Sequence, residues 1–255
     1  MQKFIAGFAF VNVPVSYDET LSHLEFVEHT EPQSWTTSIS SEETSRRIPV
    51  RHYHHNKGPV ILMCHGNAED IGQYDVEHLA NMLGFNICVF DYAGYGLHSK
   101  RTPSEKDSFI DVETVMHHLM HEKGYQTNQI IVWGRSLGSG LACHLAHTMC
   151  KAGTSPLGLI LISPLMSCVK VVTNVWTPSD MFMNYRLAPH ITCPTLVIHG
   201  NDDRVVPYEC GESLSQLFTN LSKFETLDGF GHNDVFTSRR CLESIKEFLD
   251  QINSA

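Results

Sequence analysis

The chain is short of positive charge. Its 255 residues carry 18 Lys and Arg against 28 Asp and Glu, a formal net charge of −10. Phosphate binding needs concentrated Lys and Arg, and no basic stripe is present, so no nucleic-acid partner is expected. Paired cysteines are also missing. The eight cysteines stand singly, at 64, 88, 143, 150, 168, 193, 210 and 241, which argues against a zinc ribbon or a thioredoxin-like motif. Cys64 and Cys88 fall inside apolar runs and read as buried free thiols of a reducing compartment. No long apolar run occurs either. The opening "MQKFIAGFAFVNVPVSY" is too short to span a bilayer and has no small-residue cleavage site. A cytoplasmic chain without a transmembrane helix is expected. Peripheral contact with membranes stays open, with Phe4, Phe8 and Phe10 expected to pack on the core. There are no internal repeats and no low-complexity linker, which suits one domain over residues 1–255.

What the chain does have is a series of apolar runs separated by helical patterns. "PVILMCHG" (59–66), "NICVF" (86–90), "QIIVWG" (129–134), "LGLILIS" (157–163), "PTLVIHG" (194–200) and "KFETL" (223–227) read as six strands. Between two of them, Ser104 and Asp107 open a helix in capping-box fashion. Its apolar stripe is Ile110, Val112, Val115, Leu119 and Met120, and Gly124 stops it. Cys241, Leu242, Ile245, Phe248, Leu249 and Ile252 share one face of a last helix. The polar stretch at 32–47 reads as a surface excursion between early strands. Continuous apolar strands alternating with helices predict an α/β fold, a mostly parallel central sheet covered by helices on both faces. Sites in such sheets gather at the carboxyl ends of the strands.

Three of those ends carry the residue types of nucleophilic hydrolysis. "GRSLG" (134–138) is a G-x-S-x-G between a strand and a helix, a turn that lifts the serine hydroxyl above the sheet and places a helix N-terminus beneath a developing oxyanion. Gly134 and Gly138 give the turn room, and Gly140 is expected to let the helix pack closely on the sheet. A neutral hydroxyl needs a base. "GFGHND" supplies His232, and "HGNDDRVVP" supplies two carboxylates. Asp203, just before the apolar Val205 and Val206, is the expected acid, with Asp202 as the alternative. Ser136 as nucleophile, His232 as base and Asp203 as acid follow the chain order of this architecture. The backbone N–H groups of Asn67, in "HGNAED", and Leu137 are the expected oxyanion donors.

Taken together, "HGNAEDIGQ", "FDYAGYG", "PSEKD", "GRSLGSG", "SPL", "IHGNDDRVVP" and "GFGHND" occur in order from residue 65 to 234. The set resembles the serine α/β-hydrolases grouped as protein depalmitoylases of the alpha/beta-hydrolase-domain type, with their Bem46-like and serine-aminopeptidase-like relatives. "DMFMNYRLAPHITCPTLVIHG" resembles the D-x-F-x-N segment before the acid strand in that group. The resemblance implies an α/β-hydrolase fold and the same roles for Ser136, Asp203, His232, Asn67 and Leu137. That depalmitoylase branch carries a lipidated N-terminal cysteine cluster that holds it on membranes, whereas no cysteine here precedes Cys64.

The excursion at about 165–192 is a short cap, which implies an accessible cleft. Val172, Trp176, Met181 and Phe182, with Val171, Val175 and Tyr185, are candidate walls of an acyl groove. The competing reading is that they only pack the cap onto the sheet. The expected reaction is hydrolysis of an acyl ester or thioester through an acyl-serine intermediate, on a small acyl substrate or an acylated protein. The rivals are an aminopeptidase-like serine peptidase and a non-catalytic scaffold. No cofactor or metal is expected. His117 and His121 on one helix, and His144 and His147 on another, lack an H-E-x-x-H pattern and a third ligand, and read as solvated helix-face residues. "DYAGYG" does not open a helix as a dinucleotide-binding G-x-G-x-x-G does. Oligomeric state is not legible in the sequence.

Overall fold

A computed structural model of the chain describes residues 10–11, 14–28, 46–173 and 179–254. Eight strands form one sheet: β1 (Leu24–Glu28), β2 (Arg47–Tyr53), β3 (Val60–Cys64), β4 (Asn86–Phe90), β5 (Ile130–Arg135), β6 (Gly158–Ile162), β7 (Thr195–Gly200) and β8 (Leu221–Leu227). Their order is β1-β2-β4-β3-β5-β6-β7-β8. The run from β4 to β8 is parallel, and β2 pairs antiparallel with both β4 and β1. The six strands expected from the apolar runs are the parallel ones. The antiparallel pair was not placed by sequence, since β1 is mostly half-buried and β2 opens on exposed Arg47, carries Arg51 and closes on half-buried His52 and Tyr53.

Every residue of β3, β4, β5, β6 and β7 is buried, as strands covered on both faces must be. Their side chains divide by alternation. Leu62, Val132, Leu161 and Val197 join a core with helices α2 (Glu105–His121), α3 (Gly138–Lys151) and α6 (Tyr208–Ser215). Ile61, Ile131, Ile160 and Ile198 join a second core with α1 (Val76–Leu83) and α7 (Arg239–Asn253). Each such side chain fully buried contributes about 1.5–3 kcal/mol. The helices start where the sequence offers caps: Asp75, Ser104 and Ser238 accept hydrogen bonds from the first-turn amides of α1, α2 and α7. Two short helices, α4 (Cys168–Val172) and α5 (Asn184–Leu187), belong to the cap segment.

Phe10 packs in the first core against Tyr95 and Phe182, as expected, while Phe4 and Phe8 lie outside the described residues. All eight cysteines are free, and Cys64 and Cys88 are buried. No helix among the described residues is long and apolar enough to cross a membrane.

Candidate active site

β5 ends at Arg135 and α3 begins at Gly138, so the chain turns from strand to helix within two residues. Ser136 takes the turn in the left-handed region, at φ 50°. That conformation costs a non-glycine residue about 1 kcal/mol or more and persists only where the surroundings fix it. They do so here. The Ser136 N–H donates to the Ile162 carbonyl of β6 at 3.0 Å, and its carbonyl accepts from the Ser139 N–H at 3.0 Å and the Ser139 hydroxyl at 2.6 Å. The Ser136 Oγ is thereby aimed at the loop after β8.

That loop carries His232, whose Nε2 lies 2.9 Å from Ser136 Oγ. Its Nδ1 lies 2.7 Å from Asp203 Oδ2, on the loop after β7. All three residues are buried. The structure therefore brings Ser136, His232 and Asp203 together at the carboxyl edge of the sheet. Asp202, the alternative acid, points to solvent, and among the described residues its carboxylate reaches Arg204, at 3.4 Å.

Asp203 is held on every side. Its Oδ1 accepts from the N–H groups of Val205 and Val206 at 2.8 and 2.9 Å. Its Oδ2, besides His232, lies 3.2 Å from Nε2 of His199, a fully buried residue of β7. His199 Nε2 also lies 3.0 Å from the Val206 carbonyl. A carbonyl only accepts, so this nitrogen carries the hydrogen and points it into the gap between the two oxygens. Burial alone pushes the Asp203 carboxyl up. The hydrogen bonds from His199 and His232, the charge of His232 and the Val206 amide outweigh burial and hold it well below the ordinary carboxylate range. An ionised acid fixes the imidazole with Nδ1 as donor and leaves Nε2 free to accept from the serine.

The Leu137 and Asn67 amides sit at the first turn of α3 and on the loop after β3. Neither donates a backbone hydrogen bond among the described residues. The Asn67 side chain is tied down, its Oδ1 accepting from Tyr95 Oη at 2.7 Å, Val11 N at 2.9 Å and Ala68 N at 3.0 Å. Both amides are thus left as unengaged backbone donors among the described residues.

The expected groove residues separate. Val172 is 72% exposed. It lines an open groove of about 510 Å³ between α4 and the start of α6, with Met166, Lys170, Val171, Pro207 and Cys210 among the other walls. Met181 and Phe182 are buried and do not line this groove. Phe182 packs its ring against Phe10 and Phe109, at 6.0 and 5.6 Å between centroids. Trp176 and Val175 lie outside the described residues. Gly140 also differs from expectation. A Cβ there would meet the Phe182 ring at 2.4 Å, so this glycine admits the cap, not the sheet. Gly138 is the one pressed on the sheet, where a Cβ would lie 2.2 Å from the Cys64 carbonyl oxygen at the end of β3.

Among the described residues, no group of three or more His, Cys, Asp or Glu is arranged to hold a metal ion. His117 and His121 stack on each other at 4.1 Å. His144 is not a solvated face residue: it lies flat on Phe109 and 2.7 Å from Glu113.

Sequence reasoning missed His199, Arg135 and Glu69. His199 is the penultimate residue of the apolar strand "TLVIHG", and nothing in that run marks it off from a core residue. Arg135 and Glu69 lie within the motifs "GRSLG" and "HGNAED", 66 positions apart in the chain, and only the fold pairs them.

A family model described as serine aminopeptidase, S33, matches residues 55–183, and one described as TAP-like protein matches 163–253. The alpha/beta hydrolase domain-containing protein aho-3 of Caenorhabditis elegans is 34% identical over 216 residues, covering 82% of this chain and 61% of that one. Alpha/beta hydrolase domain-containing protein 17B of Homo sapiens is 33% identical over 196 residues, covering 75% and 66% respectively. The chain thus spans about three-fifths to two-thirds of the length of the curated relatives it matches. In fold it is similar to Est1E from Butyrivibrio proteoclasticus with bound ferulic acid (TM-score 0.64, 16% identity, covering 82% of this chain and 96% of that one). It is equally similar to a thermophilic esterase from Thermogutta terrifontis (TM-score 0.64, 17% identity, covering 91% and 100%). The chain belongs to the α/β-hydrolase family that the serine aminopeptidase S33 model describes, alongside the alpha/beta hydrolase domain-containing 17 proteins.

Proposed function

We propose that this chain is a serine hydrolase that cleaves acyl esters or thioesters through an acyl-Ser136 intermediate. The observation that carries this reading is the unbroken line from Ser136 Oγ through His232 to Asp203, at 2.9 and 2.7 Å. His232 Nε2 takes the hydroxyl proton as Ser136 Oγ attacks the acyl carbon. The oxyanion that forms accepts from the Asn67 and Leu137 amides. As the tetrahedral species collapses, His232 returns the proton to the leaving alcohol or thiol, and Asp203 stabilises the imidazolium in between. Water then enters, gives a proton to His232 and attacks the acyl-serine carbonyl. As that second tetrahedral species collapses, His232 returns the proton to Ser136 Oγ, the acid is released and the serine hydroxyl is restored.

The acyl substrate class is read from the resemblance to the depalmitoylase group, and the groove that follows the acid loop is compatible with it. Its volume of about 510 Å³ falls within the roughly 300–1,000 Å³ of small-molecule clefts. Met166, Val171, Val172 and Pro207 give it an apolar wall suited to an acyl chain. The resemblance to the depalmitoylase group extends this to long-chain thioesters, including acyl groups on protein cysteines.

Incubation with a graded series of p-nitrophenyl esters, acyl thioesters and aminoacyl amides tests the reading. Turnover of esters or thioesters is expected, and its loss in Ser136→Ala. Absence of turnover at every chain length contradicts it, and turnover of the aminoacyl amides alone replaces it with a peptidase.

A further inference from the structure

We propose that the largely buried Glu69–Arg135 ion pair is a positioning device for His232, locking the oxyanion loop, the serine turn and the histidine loop into one unit. The proposal rests on the reading of Ser136, His232 and Asp203 given above. Arg135 immediately precedes the serine, and its side chain is only 10% exposed. One guanidinium nitrogen, Nη1, pairs with Glu69 Oε1. The other, Nη2, donates to the His232 carbonyl at 3.1 Å and to Asn233 Oδ1 at 3.0 Å. Glu69 is anchored in turn, its Oε2 accepting from the Gly66 N–H at 2.8 Å and the Tyr74 hydroxyl at 2.5 Å. The pair lies across Gly66, where a Cβ would sit 2.7 Å from Arg135 Nη1.

A buried ion pair is a poor source of net stability, because both charges lose their water. Its geometry here says what it does. It grips the backbone of the residue whose ring must meet Ser136 on one side and Asp203 on the other. Elsewhere the loop is tied to the acid loop by the Asp202 N–H donating to the Phe230 carbonyl at 3.0 Å and closed by the Gly231 N–H donating to Asp234 Oδ1 at 2.7 Å, and neither contact reaches the serine turn. Releasing the carbonyl lets the imidazole drift from its 2.9 Å contact.

The pair also sets the charge around the base. The charged or titratable groups facing His232 are Asp203, with His199 behind it, Arg135, with Glu69 behind it, and Asp234 two residues on. Burial pushes the Arg135 guanidinium down and the charge of Asp203 pushes it back up, so the cation and the acid share one field. Arg135→Met leaves Glu69 uncompensated, favours the imidazolium and moves the acid limb of the pH–rate profile to higher pH. Glu69→Gln leaves Arg135 uncompensated and moves the limb to lower pH. A role confined to packing does not move the limb in opposite directions.

The test measures the rate at which a fluorophosphonate labels Ser136 across pH in the full chain, with folding followed by thermal melting. Arg135→Met is expected to label about 10²-fold more slowly. Glu69→Gln, which keeps an acceptor for Gly66 and Tyr74, is expected to fall about tenfold, and Asn233→Ala, which removes one exposed acceptor of Arg135, by less. Should Arg135→Met not fold, Glu69→Gln and Asn233→Ala carry the same test. Folded variants that label at the wild-type rate, or limbs that move the same way, overturn the positioning role alone. A folded wild-type protein that is not labelled overturns the underlying reading of Ser136.

Discussion

Asp203→Asn is expected to lower kcat/KM for ester or thioester hydrolysis by about 10⁴-fold. Four donors converge on this carboxylate: the Val205 and Val206 amides on one oxygen, and His232 and His199 on the other. An asparagine must turn its NH2 toward one of those pairs. Facing His232 and His199, it forces hydrogen on Nε2 of His232 and removes the acceptor that Ser136 needs. Facing the amides, it sets donor against donor and leaves the loop strained. Asp202→Asn is expected to leave the rate within about twofold, since that side chain is exposed and substitutions of this kind change little. Steady-state rates of the two variants, side by side, check the assignment. An equal loss in both contradicts it.

The second large effect is on stability. Gly138→Ala is expected to destabilise the chain by about 3 kcal/mol or more, because overpacking against atoms that cannot move is costly. The added Cβ would lie 2.2 Å from the Cys64 carbonyl oxygen and 2.5 Å from that of His65. Both are backbone atoms at the end of a central strand, so α3 must lift from the sheet. For a domain of this size the loss corresponds to a fall in Tm of roughly 6–12 °C. Gly140→Ala meets the near end of the buried Phe182 side chain, its Cδ1, Cγ and Cβ at 2.4, 2.6 and 2.7 Å, and is expected to cost about 2 kcal/mol, because the cap segment and not a central strand has to give. Melting curves of the two variants decide it. An equal or reversed order contradicts the packing described for Gly138.

The central parallel strands, β3 to β7, were legible because strands covered on both faces must be apolar at nearly every position. "VILMC", "NICVF" and "GLILI" are buried throughout. β1 and β2 carry no such signature: β1 is the edge strand and keeps polar residues, and β2, paired on both sides, buries Arg51 and leaves Arg47 exposed. The positions of Ser136, Asp203 and His232 were legible for the same reason. Each follows a recognisable strand, and parallel strands bring their carboxyl ends to one edge. What pairs across the fold was not legible. His199 looks like one more strand residue until Asp203 is found against it. The Arg135 and Glu69 charges belong to two motifs with separate functions. Gly140 was matched to the wrong partner because the cap folds back over α3. That return places Phe182 on the helix at φ 50°, a backbone conformation that nothing in "MFMN" announces.

The central claim is that Ser136 is an activated nucleophile. Peptide-resolved mass spectrometry after exposure to a fluorophosphonate tests it most directly. The wild-type protein is predicted to gain one adduct, on the Ser136 hydroxyl, and folded Ser136→Ala to gain none. A folded wild-type protein that stays unmodified, or one modified elsewhere with Ser136 untouched, would contradict the account.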